Sequence, residues 1–235
     1  MGVQGKANAG GRGRQSVNYQ HLFFDLDGTL VDSQEGIQNS IYYAMDRMGI
    51  SRDKLGDIKR YIGPPLVVSF TRFWQLDEAG GKEAVRTYRE YYAEKGWKEV
   101  RVYDGMEQTL KTLKEAGAGL YVVTSKPTVY AEKILQHYGL APYFETIRGV
   151  DFQHDQEAKQ DLLQSVIEKH SITDLHACVM IGDRRYDMEA AKAVGTAAIG
   201  ALFGFGSAQE LQNAGADHLA HVPLDILRIN GMTEE

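Results

Sequence analysis

The sequence predicts an α/β fold: a doubly wound parallel sheet of Rossmann-like form, with an α-helical unit inserted into it. Three observations lead there. Short apolar runs stop abruptly at polar residues, helical stripes alternate with those runs, and one connection is much longer and more aromatic than the rest.

The first run is His21-Leu22-Phe23-Phe24, which stops at Asp25. A run so short and so apolar reads as a strand buried on both faces. Gly119 to Val123 ends in Thr124-Ser125, Ala177 to Ile181 ends in Gly182-Asp183, and Thr196 to Ile199 ends in Gly200. A weaker run covers Phe144 to Val150. Helices fill the gaps. Met106, Leu110 and Leu113 share one helical face, and Gly117 follows as a stop. Val129, Ile134, Leu135 and Tyr138 form a second stripe between Pro127 and Gly139. Ala158, Leu162, Leu163, Val166 and Ile167 form a third, and Met188, Ala191 and Val194 a fourth that Gly195 closes. Ser207-Ala208-Gln209-Glu210 reads as a capping box opening a fifth. Continuous apolar strands alternating with helices imply a parallel sheet covered on both faces, with right-handed crossovers.

The long connection runs from Asp27 to the Met106 helix. Ile37, Ile41, Met45 and Met48 make a helical stripe, Gly63-Pro64-Pro65 breaks the chain, and further helical patterns cover Leu66 to Trp74 and Lys82 to Lys95. Residues 33–103 hold 11 of the 23 aromatic residues, an enrichment foreign to a flexible linker. The expected organisation is a core of residues 21–32 and 104–235, a helical insertion at 33–103, and a disordered tail at 1–20. The tail reading rests on five glycines, three basic residues and no acid.

Charge narrows the partners. Of 235 residues, 26 are Lys or Arg and 32 Asp or Glu, a net charge of −6. A nucleic-acid polymer is not the expected ligand, since binding one calls for a basic surface. The single cysteine, Cys178, allows no internal disulfide and fits a reducing compartment, so a cytoplasmic protein is expected. No apolar run is long enough to span a membrane. A monomer or homodimer is expected.

In an open parallel sheet, ligands sit beyond the carboxyl ends of the strands. The polar residues there are Asp25, Asp27, Thr124, Ser125, Asp183 and Asp187. Four carboxylates gathered at one place repel one another. A hard divalent cation relieves this, and oxygen ligands suit Mg²⁺. Asp25 and Asp27 stand at i and i+2, on the same side of an extended chain. One of them can attack an electrophile while the other moves protons.

Asp25-Leu26-Asp27-Gly28-Thr29-Leu30-Val31-Asp32-Ser33 resembles the first motif of the haloacid dehalogenase-like superfamily. Thr124-Ser125-Lys126-Pro127 resembles its second motif, Lys159 its third, and Gly182-Asp183-Arg184-Arg185-Tyr186-Asp187 its fourth. The resemblance extends from His21 to the C-terminus. The helical insertion, with Ile62-Gly63-Pro64-Pro65-Leu66, is similar to the cap of the phosphoglycolate phosphatase-like subfamily.

The resemblance implies a Mg²⁺-dependent phosphatase of a small phosphate ester. Asp25 would form an aspartyl-phosphate, and Asp27 would act as acid and then base. Thr124 and Ser125 would bind the phosphoryl group. Lys159 would offset the charge of phosphate and Asp25, with Lys126 as the fallback because the proline common soon after this lysine is replaced by Gln160-Asp161. Asp25, Asp27 (through its carbonyl) and Asp183 would hold Mg²⁺, and Asp187 would orient the site. Arg60, Pro64 and Pro65 are candidate pocket residues in the insertion, whose hinges are expected at Asp32-Ser33 and Tyr103-Asp104-Gly105. A β-phosphoglucomutase-like phosphotransferase, a nucleotide 5′-phosphatase and a pyrophosphatase remain alternatives. A non-catalytic interaction module is a further one, disfavoured by four intact acids.

Overall fold

The computed structural model describes residues 17–151 and 157–232. The chain opens with β1 (His21–Phe24) and β2 (Val31–Asp32), then α1 (Gln34–Arg47), α2 (Leu66–Trp74), α3 (Glu78–Glu94) and β3 (Arg101–Val102). There follow α4 (Met106–Glu115), β4 (Gly119–Pro127), α5 (Thr128–His137), β5 (Thr146–Val150), α6 (Lys159–Lys169) and β6 (Cys178–Gly182). The chain continues through α7 (Arg185–Val194), β7 (Ala197–Ala201), α8 (Ala208–Asn213), β8 (His218–Ala220) and α9 (Asp225–Ile229).

Six strands form one parallel sheet in the order β5-β4-β1-β6-β7-β8. The expected α/β class and its doubly wound parallel sheet are therefore present. The chain winds from β1 outward to β5, then returns to β6 on the other side of β1. The strand order reverses there, which opens a crevice at the carboxyl ends of β4, β1 and β6. Alternation within each strand separates two cores. Leu22, Phe24, Leu120, Val122, Val179 and Ile181 pack with residues of α4, α5 and α9. Phe23, Tyr121, Val123, Cys178 and Met180 pack with residues of α6, α7 and α8.

The helices of the insertion bury a further cluster, which Tyr130 and Phe205 of the core join. Ile41, Met45, Phe70, Trp74, Ala84 and Tyr88 are buried together, with Phe70 stacked on Trp74 at a 4.2 Å centroid distance. The Trp74 indole N–H donates to Tyr61 Oη at 3.0 Å. The chain leaves and rejoins the core through β2 and β3, which pair antiparallel. These two-residue strands are too short to register as an apolar pattern.

Several local expectations change. Val129 is exposed, because Ala131, Ile134 and Leu135 set the buried face of α5 and Val129 lies well round from it. Ala158 caps α6 from outside, so the buried face begins at Lys159. The weak fifth strand begins at Thr146, and edge strand β8 and helix α9 were not anticipated. Of the tail, residues 1–16 lie outside the described residues. Residues 17–20 are joined to the core: the Asn18 and Tyr19 amides donate to the Asn230 carbonyl and Oδ1, and the Gln20 amide to the Ala177 carbonyl.

Separate clusters predict separable stability. Phe70→Ala should cost about 3–5 kcal/mol locally by removing a buried ring. Hydrogen exchange should place the loss in α1, α2 and α3, with the amides of β1 and β6 still protected. Equal loosening throughout the sheet would contradict the expectation.

Candidate active site

The crevice holds all the carboxylates singled out in the sequence. Asp25 follows β1, and its own amide donates to the Ile181 carbonyl at 2.9 Å, extending the β1–β6 pairing by one residue. The chain then bends at Leu26 and turns back, with the Gly28 amide bonded to the Val31 carbonyl at 2.8 Å. That bend gives the two acids different partners, although both still line one cavity. Asp25 Oδ1 accepts from the Leu26 amide at 2.8 Å, and Oδ2 lies 2.8 Å from Lys159 Nζ. Asp27 Oδ2 lies 3.0 Å from Lys126 Nζ, while Asp27 Oδ1 is buried without a partner.

Lys159 is the first residue of α6 and is buried. Its ammonium also donates to Asp187 Oδ1. Asp187 Oδ2 accepts from the Arg184 amide at 3.0 Å, the usual service of an acid in the first turn of a helix. Both oxygens of Asp187 are thus engaged. Burial works against the charge of Lys159, but Asp187 and Asp25 outweigh it and raise its pKa. Burial pushes the Asp187 carboxyl up to about 6, with Lys159 limiting the rise.

Asp183 follows β6 directly and is fully buried. Its Oδ2 accepts from the Phe205 amide at 2.7 Å, and its Oδ1 has no partner. Burial, then Asp187 and Asp25, push its carboxyl well above the ordinary range. The loop Gly204-Phe205-Gly206 makes this possible. A Cβ on Gly204 would stand 2.4 Å from Asp183 Cβ, and one on Gly206 2.0 Å from the Asp183 carbonyl oxygen. The loop's two glycines bracketing an aromatic were the available signal, but they acquire meaning only once Asp183 is beside them.

β4 runs past its apolar stretch to Pro127, and its register against β5 breaks between Val123 and Pro127. Such irregularities re-aim side chains at sheet ends. Buried Thr124 accepts the Lys126 amide on Oγ1 at 3.2 Å, and Ser125 lines the cavity beside it. Lys126 Nζ donates to Tyr92 Oη, on α3, at 2.6 Å. Tyr92 was missed, because nothing in its own segment marks it. Pro64 and Pro65 line the cavity, but Arg60 does not. The Arg60 guanidinium donates to the Lys54 carbonyl at 2.7 Å and lies over the Phe73 ring at 4.1 Å, so it serves the insertion's own packing.

Asp25, Asp183 and Asp187 each place an oxygen within 4.8 Å of the others. Asp187, expected only to orient the site, stands inside this carboxylate set, while the Asp27 side chain pairs with Lys126 and leaves only its carbonyl to the expected cation site. Four buried or half-buried carboxylates face two ammoniums here. The deficit of two charges and the orphaned Asp183 Oδ1 fit a divalent cation held chiefly by Asp25 and Asp183.

A carboxyl whose pKa is raised keeps its proton to higher pH, and that proton must leave before the cation binds. Cation affinity should therefore rise with pH, by tenfold or more from pH 5.5 to pH 8, with protons released on binding. Calorimetry in buffers of different ionisation enthalpy measures both quantities. A flat affinity with no proton release would contradict the arrangement.

The chain is similar to known proteins along most of its length. The sequence pattern of the haloacid dehalogenase-like hydrolases matches residues 22–201. A 5′-nucleotidase of Pseudomonas aeruginosa is 39% identical over 197 residues, 84% of this chain and 89% of that protein. A phosphoglycolate phosphatase of Vibrio vulnificus is 30% identical over 207 residues, 85% of this chain and 90% of that one. A predicted phosphatase from Clostridium acetobutylicum superposes with a TM-score of 0.83 at 39% identity, covering 89% of this chain and 97% of its own. With its fold, its ordered motifs and these relatives, the chain belongs to the haloacid dehalogenase-like hydrolase family.

Proposed function

We propose that the protein is a Mg²⁺-dependent phosphatase of a small phosphate ester, acting through an aspartyl-phosphate on Asp25. The observation that carries this reading is the ammonium of Lys159 between Asp25 and Asp187, beside Asp183. That arrangement lets an anionic nucleophile approach an anionic ester. A Mg²⁺ held by Asp25, Asp183 and the Asp27 carbonyl supplies charge neutralisation and Lewis acidity when bound.

Asp25 Oδ attacks phosphorus, and the bond from phosphorus to the ester oxygen breaks. Asp27 gives its proton to that oxygen, and the alcohol departs. Asp27 then takes a proton from water as the water's oxygen attacks the phosphoryl phosphorus. Inorganic phosphate leaves and Asp25 is restored as a carboxylate. Thr124 and Ser125 hold the phosphoryl oxygens, Lys159 balances the charge gained in the transition state, and Asp187 keeps Lys159 in place. Lys126 holds Asp27 ready between the two steps. Residues 33–103 act as a cap that shapes the leaving-group side and limits water. The single buried cysteine and the absence of any long apolar helix among the described residues suit a cytoplasmic setting.

Among substrates, the cavity favours an ester larger than phosphoglycolate. It has a volume of about 580 Å³, and its wall includes Ile37, Val67, Val85 and Tyr88. A two-carbon acid would leave most of that surface uncovered. A nucleoside 5′-monophosphate fits its size and its apolar, aromatic wall. Phosphoglycolate is the second reading, suggested by the Vibrio relative. Assays of both classes, with Mg²⁺ and with a chelator, separate them.

Asp25→Asn should lower turnover by about four decades, or about 5 kcal/mol of barrier. Near-normal Mg²⁺-dependent turnover in that variant would refute the covalent route. Asp27→Asn should slow alkyl phosphate hydrolysis by about 10²–10⁴. The loss should be much smaller for p-nitrophenyl phosphate, whose leaving oxygen needs no proton. Equal losses on both esters would remove Asp27 from the acid role.

A further inference from the structure

Arg184 lies between Asp183 and the start of α7, and it faces two ways. Its backbone amide donates to Asp187 Oδ2 at 3.0 Å. Its side chain leaves the core and reaches the helical insertion. Nη1 donates to the Lys59 carbonyl at 3.1 Å and also to the Ile62 carbonyl. Nε donates to Glu210 Oε1 at 2.9 Å, and the same oxygen accepts the Arg185 amide at 3.0 Å. Glu210 is itself held near the start of α8, where its amide donates to Ser207 Oγ at 3.1 Å. The guanidinium is therefore aimed from the core by a carboxylate that is fixed in place.

The receiving loop suits a cation. A 3₁₀ turn at Ile58–Tyr61 ends at Ile62; within it the Lys59 carbonyl accepts the Ile62 amide at 3.3 Å and has a second lone pair to offer, while the Ile62 carbonyl lies past the last bond of the turn. Arginine donors commonly satisfy them. Gly63 follows with φ +105°, and a Cβ there would stand 3.3 Å from the Tyr186 ring and 3.4 Å from Arg184 Nη1. Core and loop meet closely at this point, and the positive φ disfavours any side chain there. Ile62, Gly63, Pro64 and Pro65 then line the cavity above Asp25 and Asp27.

We propose that Arg184 is the positioning residue that clasps the 59–65 loop, and the cap with it, over the active site. The proposal rests on reading residues 33–103 as a cap. Seated on those carbonyls, the guanidinium ties the loop to the segment that also anchors Asp187. From there the polar chain runs through Lys159 to Asp25. The Lys126–Tyr92 hydrogen bond is a second tie, made by α3. Lys126 also contacts Asp27, so its loss would mix docking with proton transfer. Arg184 contacts the cap without touching either proposed catalytic acid by its side chain.

Arg184→Met keeps an unbranched apolar stem and removes the guanidinium with its donors. Hydrogen exchange on the protein without substrate should show amides of residues 58–66 exchanging about tenfold faster or more, as expected for losing charge-assisted hydrogen bonds. The amides of β1 and β6 should keep their wild-type rates. With a nucleoside 5′-monophosphate, kcat/KM should fall by a similar factor, with a smaller loss on methyl phosphate, which cannot reach the loop. Gly63→Ala disturbs the same contact from the cap side, so the double variant should be no worse than the more damaging single one. Glu210→Ala removes only the aiming carboxylate and should speed exchange in 58–66 about threefold, which serves as the test if Arg184→Met does not fold. Unchanged exchange in 58–66, or effects of Arg184→Met and Gly63→Ala that multiply, would overturn the clasp. Exchange needs no turnover, so failure of the phosphatase reading would appear separately, as inactive wild-type protein with the exchange pattern intact.

Discussion

The site depends on keeping like charges together inside a protein. Asp25, Asp183 and Asp187 stand close to one another at low exposure, and unrelieved repulsion would scatter them. The ammonium of Lys159 is the part of the answer that the chain supplies. A buried ion pair is a weak source of net stability, since desolvation offsets attraction. Its value here is geometric: Lys159 gives Asp25 and Asp187 a common partner and so holds their spacing. The rest of the core can be read from that need. α6 begins at Lys159, which brings the ammonium to the end of the sheet. α7 begins just after Arg184, so Asp187 both caps the helix and receives the ammonium. The glycines around Phe205 let a backbone amide approach Asp183.

The second constraint is that a chemically useful crevice at a strand-order reversal is open to water. The helical insertion lies against that crevice, with a buried cluster that Tyr130 and Phe205 of the core join, and it leaves and rejoins the core through β2 and β3. Polar ties join the insertion to the core beside the cavity, among them Lys126 to Tyr92 and Arg184 to the loop before Gly63. Both core ends of these ties sit next to residues of the site. In the proposed clasp, position of the insertion and order within the site are linked through these contacts.

The strand ends were legible because an apolar run that stops at an acid carries its own explanation: burial on both faces, then exposure to a crevice. Asp25, Asp27, Thr124 and Asp183 could be placed that way. Lys159 could not, since a lysine early in a helix is ordinarily solvated; only the order of motifs pointed to it. Arg60 looked available for an anion because it stood in a break between helices. The fold instead brings the Lys54 carbonyl and the Phe73 ring to it. Tyr92, Arg184 and the Gly204–Gly206 loop went unassigned because their meaning lies in their partners. β8 and α9 span three and five residues, too few for periodicity to show.

Sequence alone determined the class of fold, the order of the main elements and the carboxylates that face the crevice. Those features follow from local hydrophobicity and side-chain period, which act over a few residues. Tertiary structure alone decided which charges pair. Lys159 meets Asp187 across 28 positions of sequence, and Arg184 meets the Ile62 carbonyl across 122. It also brought Asp187, expected only to orient the site, into the carboxylate cluster beside Asp25 and Asp183. Electrostatic contacts of a few ångströms depend on where packed helices begin and on how a chain bends at Leu26, and neither is written in any one segment.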